Sequence, residues 1–377
     1  MNVGEKMYSW KPSVYYESAD FSSMSFKLPQ LSQVIKMTPS LSGNEGRLRL
    51  SNRYGKEDLW FDEIKVSLDA SFKDAIQVTY NYQEEIFLPQ GENVMTDGFF
   101  LDIEANQPIY VWMKATRQQS YSDYKSTFET TLTNASFVRK ANLLPKLKET
   151  TTLKKGWFCL ESLEVWSNKK VEYFEFAGDS LMEMGMITTP IKQALMQQFP
   201  EKYVFLETAV SGNRLCYDAP KDTKIHATFG DSLLKRIQQN NSGIIPMVRL
   251  ISIGANDLMV PLIAKDARNQ LMSTDKYQAA ISQLKNLQET QSYFLNLPPF
   301  KVQTSLPDED IKQVQKIRQQ INQWTRTQMN YVDLAPVIET VSCETKTEYD
   351  FGDQMHLNQL GGKKVAQVVL ENLINKL

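Results

Sequence analysis

One serine of this chain follows directly on a strand-like segment that ends in a glycine turn. Residues 171–181 read Val-Glu-Tyr-Phe-Glu-Phe-Ala-Gly-Asp-Ser-Leu, so aromatic residues alternate with polar ones until the run stops before Gly178. Alternating aromatic residues favour a β-strand, and glycine allows a tight turn at its end. Because ligands of open α/β sheets bind at the carboxyl ends of the strands, Ser180 is a candidate nucleophile.

A serine hydroxyl is a weak nucleophile at neutral pH, so it needs a base within hydrogen-bond reach. The chain has only two histidines, His226 and His356. Asp353 precedes His356 by three residues, close enough on one turn to fix its tautomer and to stabilise the imidazolium. We therefore expect His356 to be the base and Asp353 to orient it, with His226 as the rival base.

Acyl transfer also requires hydrogen-bond donors for the negatively charged oxygen of its tetrahedral intermediate. Gly212, inside a Ser-Gly-Asn segment, offers a backbone N–H at a residue without Cβ. Asn256, inside a Gly-Ala-Asn-Asp segment, offers a side-chain amide. Both segments follow predicted strands, as the Ser180 segment does. A fourth segment, Asp353-Gln-Met-His356, precedes the predicted C-terminal helix.

The four segments, taken in order, resemble the sequence blocks of the SGNH hydrolases, also called the GDSL esterase/lipase family. The resemblance implies that Ser180 is the nucleophile, that His356 is general base and then acid, and that Asp353 orients it. It also implies an oxyanion hole made of the backbone N–H groups of Ser180 and Gly212 and the amide of Asn256. No metal and no organic cofactor is implied.

Two longer stretches resemble one bacterial branch of this family. These are residues 209–218 and the Arg-x-Arg-x-Ser-Asn-x-x-Gly pattern at residues 47–55. That branch has a β-rich N-terminal domain and is linked to esterases, often deacetylases of sugars. The resemblance implies hydrolysis of small acyl esters, acetyl above all, with an O-acetylated carbohydrate as the substrate. The alternatives are a lipase, lysophospholipase or thioesterase on the same scaffold, and an inactive carbohydrate-binding protein.

The chain departs from the family at one position of the first block. The family usually has glycine four residues after the serine, whereas this chain has methionine there and Gly185 one residue later. We expect the local loop and the acyl pocket to differ at this point. Four residues near the blocks are candidates for the substrate cleft, with packing or backbone support as the alternative: Asp179, Met184, Arg214 and Tyr217.

The elements that must position these residues fall into two predicted domains. Residues 1–168 contain short alternating strands, which predict an all-β sandwich or jelly-roll domain. Within it, the polar segment 115–135 is predicted to be a long surface excursion. Residues 169–377 alternate strands with helices near 262–272, 275–289, 308–329 and 364–377. This pattern predicts a flavodoxin-like α/β domain with a parallel sheet flanked by helices.

Composition argues against nucleic acid, a membrane and a metal ion as binding partners. The 377 residues carry a formal net charge of −2, which gives no basic surplus for nucleic acid. No apolar run reaches the ~18 residues of a membrane span, and no signal peptide is visible. Three cysteines cannot all pair, and their spacing suits no metal site. We therefore expect a soluble cytoplasmic protein, although a secreted protein trimmed of its signal would look the same. The sequence leaves the oligomeric state open.

Overall fold

The structure, a computed structural model, describes residues 7–287, 289–301 and 307–373. The chain forms two compact units. The first comprises the described residues up to Tyr173 together with Gln193–Leu206, and the second comprises Phe174–Lys192 and the described residues from Glu207 onward. The domain boundary between residues 168 and 169 that the sequence predicts stays a proposal.

The first unit is built mainly from β-strands. They are β1 (Ser9–Tyr16), β2 (Ala19–Asp20), β3 (Phe26–Leu28), β4 (Leu31–Met37), β5 (Gly43–Ser51), β6 (Leu59–Phe61), β7 (Glu63–Ser67), β8 (Ile76–Gln77), β9 (Ile86–Leu88), β10 (Asn93–Met95), β11 (Phe99–Ile103), β12 (Ile109–Ala115), β13 (Gln119–Tyr121), β14 (Asp123–Thr127), β15 (Asn134–Val138), β16 (Lys155–Phe158) and β17 (Leu160–Ser167).

Antiparallel pairing joins these strands into several ladders. One runs in the order β10–β5–β17–β1, with β11 also paired to β5, and another runs β15–β4–β12–β7–β8. Buried and half-buried residues alternate along β12, as they do when one face of a sheet covers a core. Apolar side chains of both ladders, including Ile35, Leu48, Val111 and Leu163, form that core. The sandwich or jelly-roll topology itself stays a prediction.

The predicted surface excursion at residues 115–135 is wrong. This segment contributes strands β13 and β14 and the start of β15, and Asp123 in it is fully buried. The Asp123 carboxylate accepts hydrogen bonds from the Ser51 hydroxyl at 2.5 Å and from the N–H groups of Arg53 and Tyr54 at 3.1 and 2.9 Å. Polar residues can therefore line a protein interior when each group finds a partner there.

The second unit contains parallel strands and helices. Its paired strands, in spatial order, are β18 (Glu172–Gly178), β20 (Val248–Ser252), β21 (Gln291–Leu295) and β22 (Tyr331–Val332). Strand β19 (Tyr203–Glu207) precedes β20 in the chain, and its residues up to Leu206 belong to the first unit. The helices that follow β18 in the chain are α1 (Ser180–Glu183), α2 (Thr188–Gln198), α3 (Leu233–Gln239), α4 (Ala255–Ile263), α5 (Thr274–Asn286), α6 (Asp308–Thr325), α7 (Ala335–Ile338) and α8 (Gln359–Leu373). The residues of α2 from Gln193 onward belong to the first unit.

All five residues of β20 are buried, as expected for a parallel strand that is covered by helices. Ile251 of β20 lies in one apolar cluster with Ala177 of β18, Tyr277 of α5, Phe294 of β21 and Ile321 of α6. Helix α6 packs against α4 and α5, and α8 packs against β22. The α/β character predicted for this half of the chain is confirmed, whereas the flavodoxin-like strand order stays a prediction.

One predicted helix of the second half of the chain is wrong, and the others begin or end at different residues in the structure. The helix predicted near residues 262–272 is wrong, because α4 starts directly after Gly254 and ends at Ile263. Helices α5 and α6 correspond to the predicted segments, although residue 288 lies outside the described part of the chain. The predicted C-terminal helix begins five residues earlier than expected, at Gln359, and positions 374–377 are not described. Among the described residues, no helix is both long and apolar enough to cross a membrane.

Candidate active site

The turn that presents Ser180 depends on close contact between two strands. Gly178 ends β18 with φ of +122°, and a Cβ at this position would lie 1.9 Å from the carbonyl oxygen of Ser252 on β20. The Asp179 N–H donates to that same carbonyl at 3.1 Å. Only glycine permits this approach, so the strand turns sharply and Ser180 becomes the first residue of α1.

Asp179 supports this turn from inside the protein. Its carboxylate accepts the Leu181 N–H at 3.1 Å as the N-cap of α1, and its side chain is only 2% exposed. Burial raises the pKa of Asp179 to about 7, although the Leu181 N–H and the His356 imidazole act in the opposite direction. This geometry is that of a residue that supports the backbone, the alternative to a substrate contact.

Ser180, His356 and Asp353 form a continuous hydrogen-bonded chain. The Ser180 Oγ lies 2.8 Å from His356 Nε2, and His356 Nδ1 lies 2.6 Å from Asp353 Oδ2. The structure thus brings together side chains that are 176 positions apart in the sequence. The second oxygen of Asp353 accepts the backbone N–H groups of Met355 and His356, so the carboxylate fixes both the imidazole and the backbone that carries it.

The charge of Asp353 determines which atoms of the hydrogen-bonded Ser180, His356 and Asp353 side chains carry protons. Partial burial opposes its ionisation, but hydrogen bonds from the side chain and backbone of His356 prevail and lower the pKa of Asp353 to about 2. An ionised carboxylate only accepts hydrogen bonds, so the Nδ1 of His356 must carry the proton. The Nε2 of a neutral imidazole is then the acceptor, and the Ser180 hydroxyl donates to it. This is the arrangement that a general base requires.

Two of the expected oxyanion donors, Asn256 and Gly212, lie on segments that are joined by a hydrogen bond. Asn256, in the first turn of α4, donates its side-chain amide to the carbonyl of Asn213 at 3.1 Å, which ties it to the loop of Gly212. Gly212 has φ of +80°, and a Cβ there would lie 2.1 Å from the ring of Phe229. Within the described part of the chain, the N–H groups of Ser180 and Gly212 have no acceptor.

Two buried side chains hold the Gly212 loop from beneath. Asn213, which is fully buried, donates its amide to the carbonyls of Phe229 and Asp231 at 2.8 and 2.7 Å. Asp257 accepts the N–H groups of Leu215 and Cys216, and burial raises the pKa of Asp257 to about 6 despite these bonds. The asparagine of the Ser-Gly-Asn segment and the aspartate after Asn256 therefore support the loop.

Glu183 is a residue of this region that the sequence reasoning missed. Its carboxylate accepts both the N–H of Ser211, at 2.9 Å, and the Ser211 hydroxyl. The available signal was an acid placed between Met182 and Met184 in the otherwise apolar turn after Ser180. The partner could not be read from the sequence, because Ser211 lies 28 positions further along the chain.

The other candidates for the substrate cleft are mostly buried. Arg214 is 2% exposed, and its guanidinium donates to Gln270 at 2.8 Å and to the carbonyl of Asp218. Met184 is 5% exposed. Tyr217 is half-buried beneath the ammonium group of Lys276, which lies 3.8 Å from the ring centre. Of the four candidates, only Tyr217 keeps substantial accessible surface.

The departure at Met184 changes where the first turn ends. Met184 closes α1 in a helical conformation, and Gly185 then adopts the left-handed conformation with φ of +85°. The glycine turn therefore occurs one residue later than the family pattern would place it.

A cavity of about 440 Å³ adjoins the hairpin of residues 350–357, which carries Asp353 and whose end residues form an antiparallel bridge. Asp350 and Gln354 of the hairpin form one wall, and the others include Phe300, Ile311 and Glu344. Ser180, His356 and Asp353 are not among the residues that line it. Among the described residues, no cluster of His, Cys, Asp and Glu side chains could hold a metal ion.

Comparisons with known proteins give structural similarity only. No protein-family model and no curated protein matches the chain. A GDSL-like lipase from Bacteroides thetaiotaomicron has a TM-score of 0.38 and 12% identity, and the match covers 55% of this chain and 89% of that one. A variant of Axe2, an acetyl xylan esterase from Geobacillus stearothermophilus, has a TM-score of 0.38 and 17% identity, with 53% and 94% covered. A lipase/acylhydrolase from Enterococcus faecalis has a TM-score of 0.39 and 13% identity, with 55% and 97% covered.

Proposed function

We propose that this protein is a serine esterase of the SGNH type that hydrolyses small acyl esters through an acyl-enzyme on Ser180. The observation that carries the proposal is the hydrogen-bonded chain from Ser180 Oγ through His356 to Asp353, at 2.8 and 2.6 Å. A serine hydroxyl that donates to a carboxylate-oriented imidazole is the arrangement of an activated nucleophile.

The reaction follows from this chain of contacts. The Ser180 Oγ attacks the ester carbonyl while its proton passes to His356 Nε2, and Asp353 stabilises the resulting imidazolium. The protonated imidazole then gives the proton to the departing alcohol. Water, activated by the same nitrogen, attacks the acyl-enzyme, releases the acid and restores the Ser180 hydroxyl.

Three donors would hold the oxyanion of each tetrahedral intermediate: the N–H groups of Ser180 and Gly212 and the side-chain amide of Asn256. Support comes from the two N–H groups that have no acceptor among the described residues. The Asn256 amide uses one hydrogen on the Asn213 carbonyl and keeps a second for the substrate. Loss of one such donor typically lowers kcat by about 10²- to 10³-fold, or about 2.7–4 kcal/mol.

The proposed substrate is a short-chain ester, acetyl above all, on a carbohydrate. This part rests on the sequence resemblance of residues 47–55 and 209–218 to the bacterial branch with sugar deacetylases. The rival activities are those of a lipase, lysophospholipase or thioesterase, and the rival from another class is an inactive carbohydrate-binding protein.

Hydrolysis of p-nitrophenyl acetate tests the proposal. Wild type should release p-nitrophenol, and Ser180→Ala should reduce the rate by about 10⁴-fold or more. A binding protein would show no difference between the two. A series of p-nitrophenyl esters from acetyl to palmitoyl then separates the activities, because an acetylesterase loses kcat/KM as the chain lengthens and a lipase gains it. Acetate release from a panel of acetylated sugars identifies the alcohol.

A further inference from the structure

Glu183 is a buried acid placed one helical turn after the nucleophile. Its side chain is 6% exposed, and it is the last residue of α1. Its backbone N–H donates to the Asp179 carbonyl at 3.1 Å, and the next N–H along the chain donates to the Ser180 carbonyl at 3.0 Å. Helix α1 is only four residues long, and these hydrogen bonds hold its backbone. The position of Glu183 relative to Ser180 is therefore fixed.

The Glu183 carboxylate reaches across to the residue before Gly212. One of its oxygens accepts both the N–H of Ser211, at 2.9 Å, and the Ser211 hydroxyl. A buried carboxylate is stable only when donors surround it, so these bonds are strong constraints on the Ser211 backbone. They link the nucleophile turn directly to the Gly212 loop.

The loop is thus held at both ends with Gly212 between them. On one side Ser211 is bonded to Glu183, and on the other Asn213 is fixed by its amide and by its N–H, which donates to the Val210 carbonyl at 3.1 Å. Since the N–H groups flanking Gly212 are both occupied, the Gly212 N–H is the one left to face a ligand. An oxyanion donor must hold its position to within a fraction of an ångström.

We propose that Glu183 is a positioning residue that holds the Gly212 N–H at the distance from Ser180 that the oxyanion requires. The inference rests on the proposed esterase function, which it deepens. Glu183 touches neither the substrate nor the reacting atoms, and it acts through Ser211.

Removal of the carboxylate should lower the rate of the chemical step more than substrate binding. We expect Glu183→Ala to lower kcat about 10- to 100-fold and to change KM less than about 3-fold, because a displaced donor acts in the transition state. Glu183→Gln retains an acceptor oxygen of the same reach, so it should recover most of the lost kcat. Glu207→Ala removes a carboxylate that pairs with Lys192 in the same unit, and it serves as the control for a general loss of stability.

Two further measurements separate positioning from folding. A boronic acid inhibitor forms a tetrahedral adduct on the serine, so Glu183→Ala should weaken its inhibition by the same factor as kcat/KM falls. Ser211→Ala removes one of the two donors and should lower kcat less than Glu183→Ala does. In the double variant kcat should equal that of Glu183→Ala alone, because Glu183→Ala has already removed the hydrogen bond that Ser211→Ala breaks.

The outcomes distinguish this inference from the proposed function. A wild type that does not hydrolyse p-nitrophenyl acetate would overturn the proposed function. An active wild type together with a folded Glu183→Ala that keeps kcat and boronate inhibition would overturn the positioning role alone. If Glu183→Ala does not fold, Ser211→Ala and Glu183→Gln decide, since unchanged boronate inhibition in Ser211→Ala contradicts the proposal.

Discussion

The sequence Gly-Asp-Ser-Leu occurs twice in this chain, at residues 178–181 and 230–233, and the two copies have different surroundings. In the first copy the glycine ends a strand against the backbone of the next strand, and the serine hydroxyl faces an imidazole. In the second copy a Cβ on Gly230 would meet its nearest neighbours only at 3.9 Å, and Ser232 caps helix α3 without a side-chain hydrogen bond. The same four residues thus form a candidate nucleophile in one place and an ordinary helix start in the other.

The two histidines also have similar partners but different surroundings. His226 Nδ1 lies 2.8 Å from Asp222, and His356 Nδ1 lies 2.6 Å from Asp353, so both rings have a carboxylate partner. The His226 ring packs beside Phe229, whereas the His356 ring has Ser180 at its other nitrogen. A histidine–aspartate pair is therefore no sign of catalysis by itself. The serine at the second nitrogen is the distinguishing feature.

Exchange of each histidine for alanine gives the largest expected difference. His356→Ala should reduce kcat/KM for p-nitrophenyl acetate by about 10⁴- to 10⁶-fold, because the serine loses its base. His226→Ala should stay within about 5-fold of wild type, since the His226 Nδ1 pairs with Asp222 and the ring packs beside Phe229 rather than Ser180. Steady-state kinetics of the two variants side by side provide the measurement. A large loss in His226→Ala would contradict the assignment of the base.

Substitution of Asp353 should lower kcat more than substitution of Asp222, although by a smaller factor than the difference between the two histidine variants. Asp353→Asn leaves the size of the side chain unchanged but favours the wrong imidazole tautomer, and we expect kcat to fall about 10²- to 10⁴-fold. Asp222→Asn should leave kcat within about 3-fold. The check is kcat for both variants at a pH well above 4, where the Asp353 carboxylate of wild type is ionised. Equal rates in the two variants would remove Asp353 from the proposed mechanism.

Replacement of Gly178 should destabilise the protein more than replacement of Gly230. In Gly178→Ala the new methyl group would lie 1.9 Å from a backbone oxygen that cannot move without its strand, so we expect a loss of about 3 kcal/mol or more, or failure to fold. Gly230→Ala meets no atom closer than 3.9 Å, and its backbone conformation (φ +75°, ψ −179°), which other residues rarely adopt, costs about 1–3 kcal/mol. Denaturant unfolding of both variants measures the difference. Similar losses would mean that the first turn is not close-packed.

Asp179, the buried acid of the Gly-Asp-Ser-Leu sequence at residues 178–181, should make the free energy of unfolding depend on pH. Burial raises the pKa of Asp179 to about 7 from an ordinary value near 3.8, so the folded protein holds a proton that the unfolded chain has lost. Its contribution to the free energy of unfolding therefore falls as pH rises from about 4 to about 7, on the order of 1 kcal/mol per pH unit. Asp179→Asn keeps an N-cap oxygen but cannot ionise, so it should lose this part of the pH dependence.

The control for this prediction is Asp231→Asn, from the second copy. Asp231 is a half-exposed partner of Lys235 at 2.8 Å, and removal of its charge should shift the free energy of unfolding by less than about 1 kcal/mol. Unfolding free energies of wild type and both variants at pH 5 and pH 8 give the comparison. If wild type and Asp179→Asn have the same pH dependence, Asp179 is not protonated in the folded state.

Sequence reasoning succeeded where one local pattern determined the structure. The aromatic alternation before Gly178 and the apolar run of β20 gave strands, and the residues after those strands gave the loops of the candidate site. The pairing of Ser180 with His356 depends on Asp353 three residues before His356 and on the family resemblance, because no local signal joins positions 176 apart. The structure then brings the two side chains within hydrogen-bond distance.

The failures have a physical cause in partners that are distant in sequence. Segment 115–135 looks polar and exposed, yet Asp123 is buried because Ser51 and the N–H groups after it provide three donors. Glu183 escaped notice for the same reason, since its partner Ser211 belongs to another loop. A polar residue can be placed by sequence only when its partners are near it in the chain.

Covalent labelling of the nucleophile tests the central claim most directly. Diethyl p-nitrophenyl phosphate phosphorylates an activated serine and releases p-nitrophenol, and peptide mass spectrometry locates the modified residue. The account predicts one diethylphosphoryl group per chain, attached to Ser180, with loss of esterase activity in proportion to labelling and no labelling of His356→Ala. Modification of Ser232, or full inactivation with Ser180 unmodified, would contradict it.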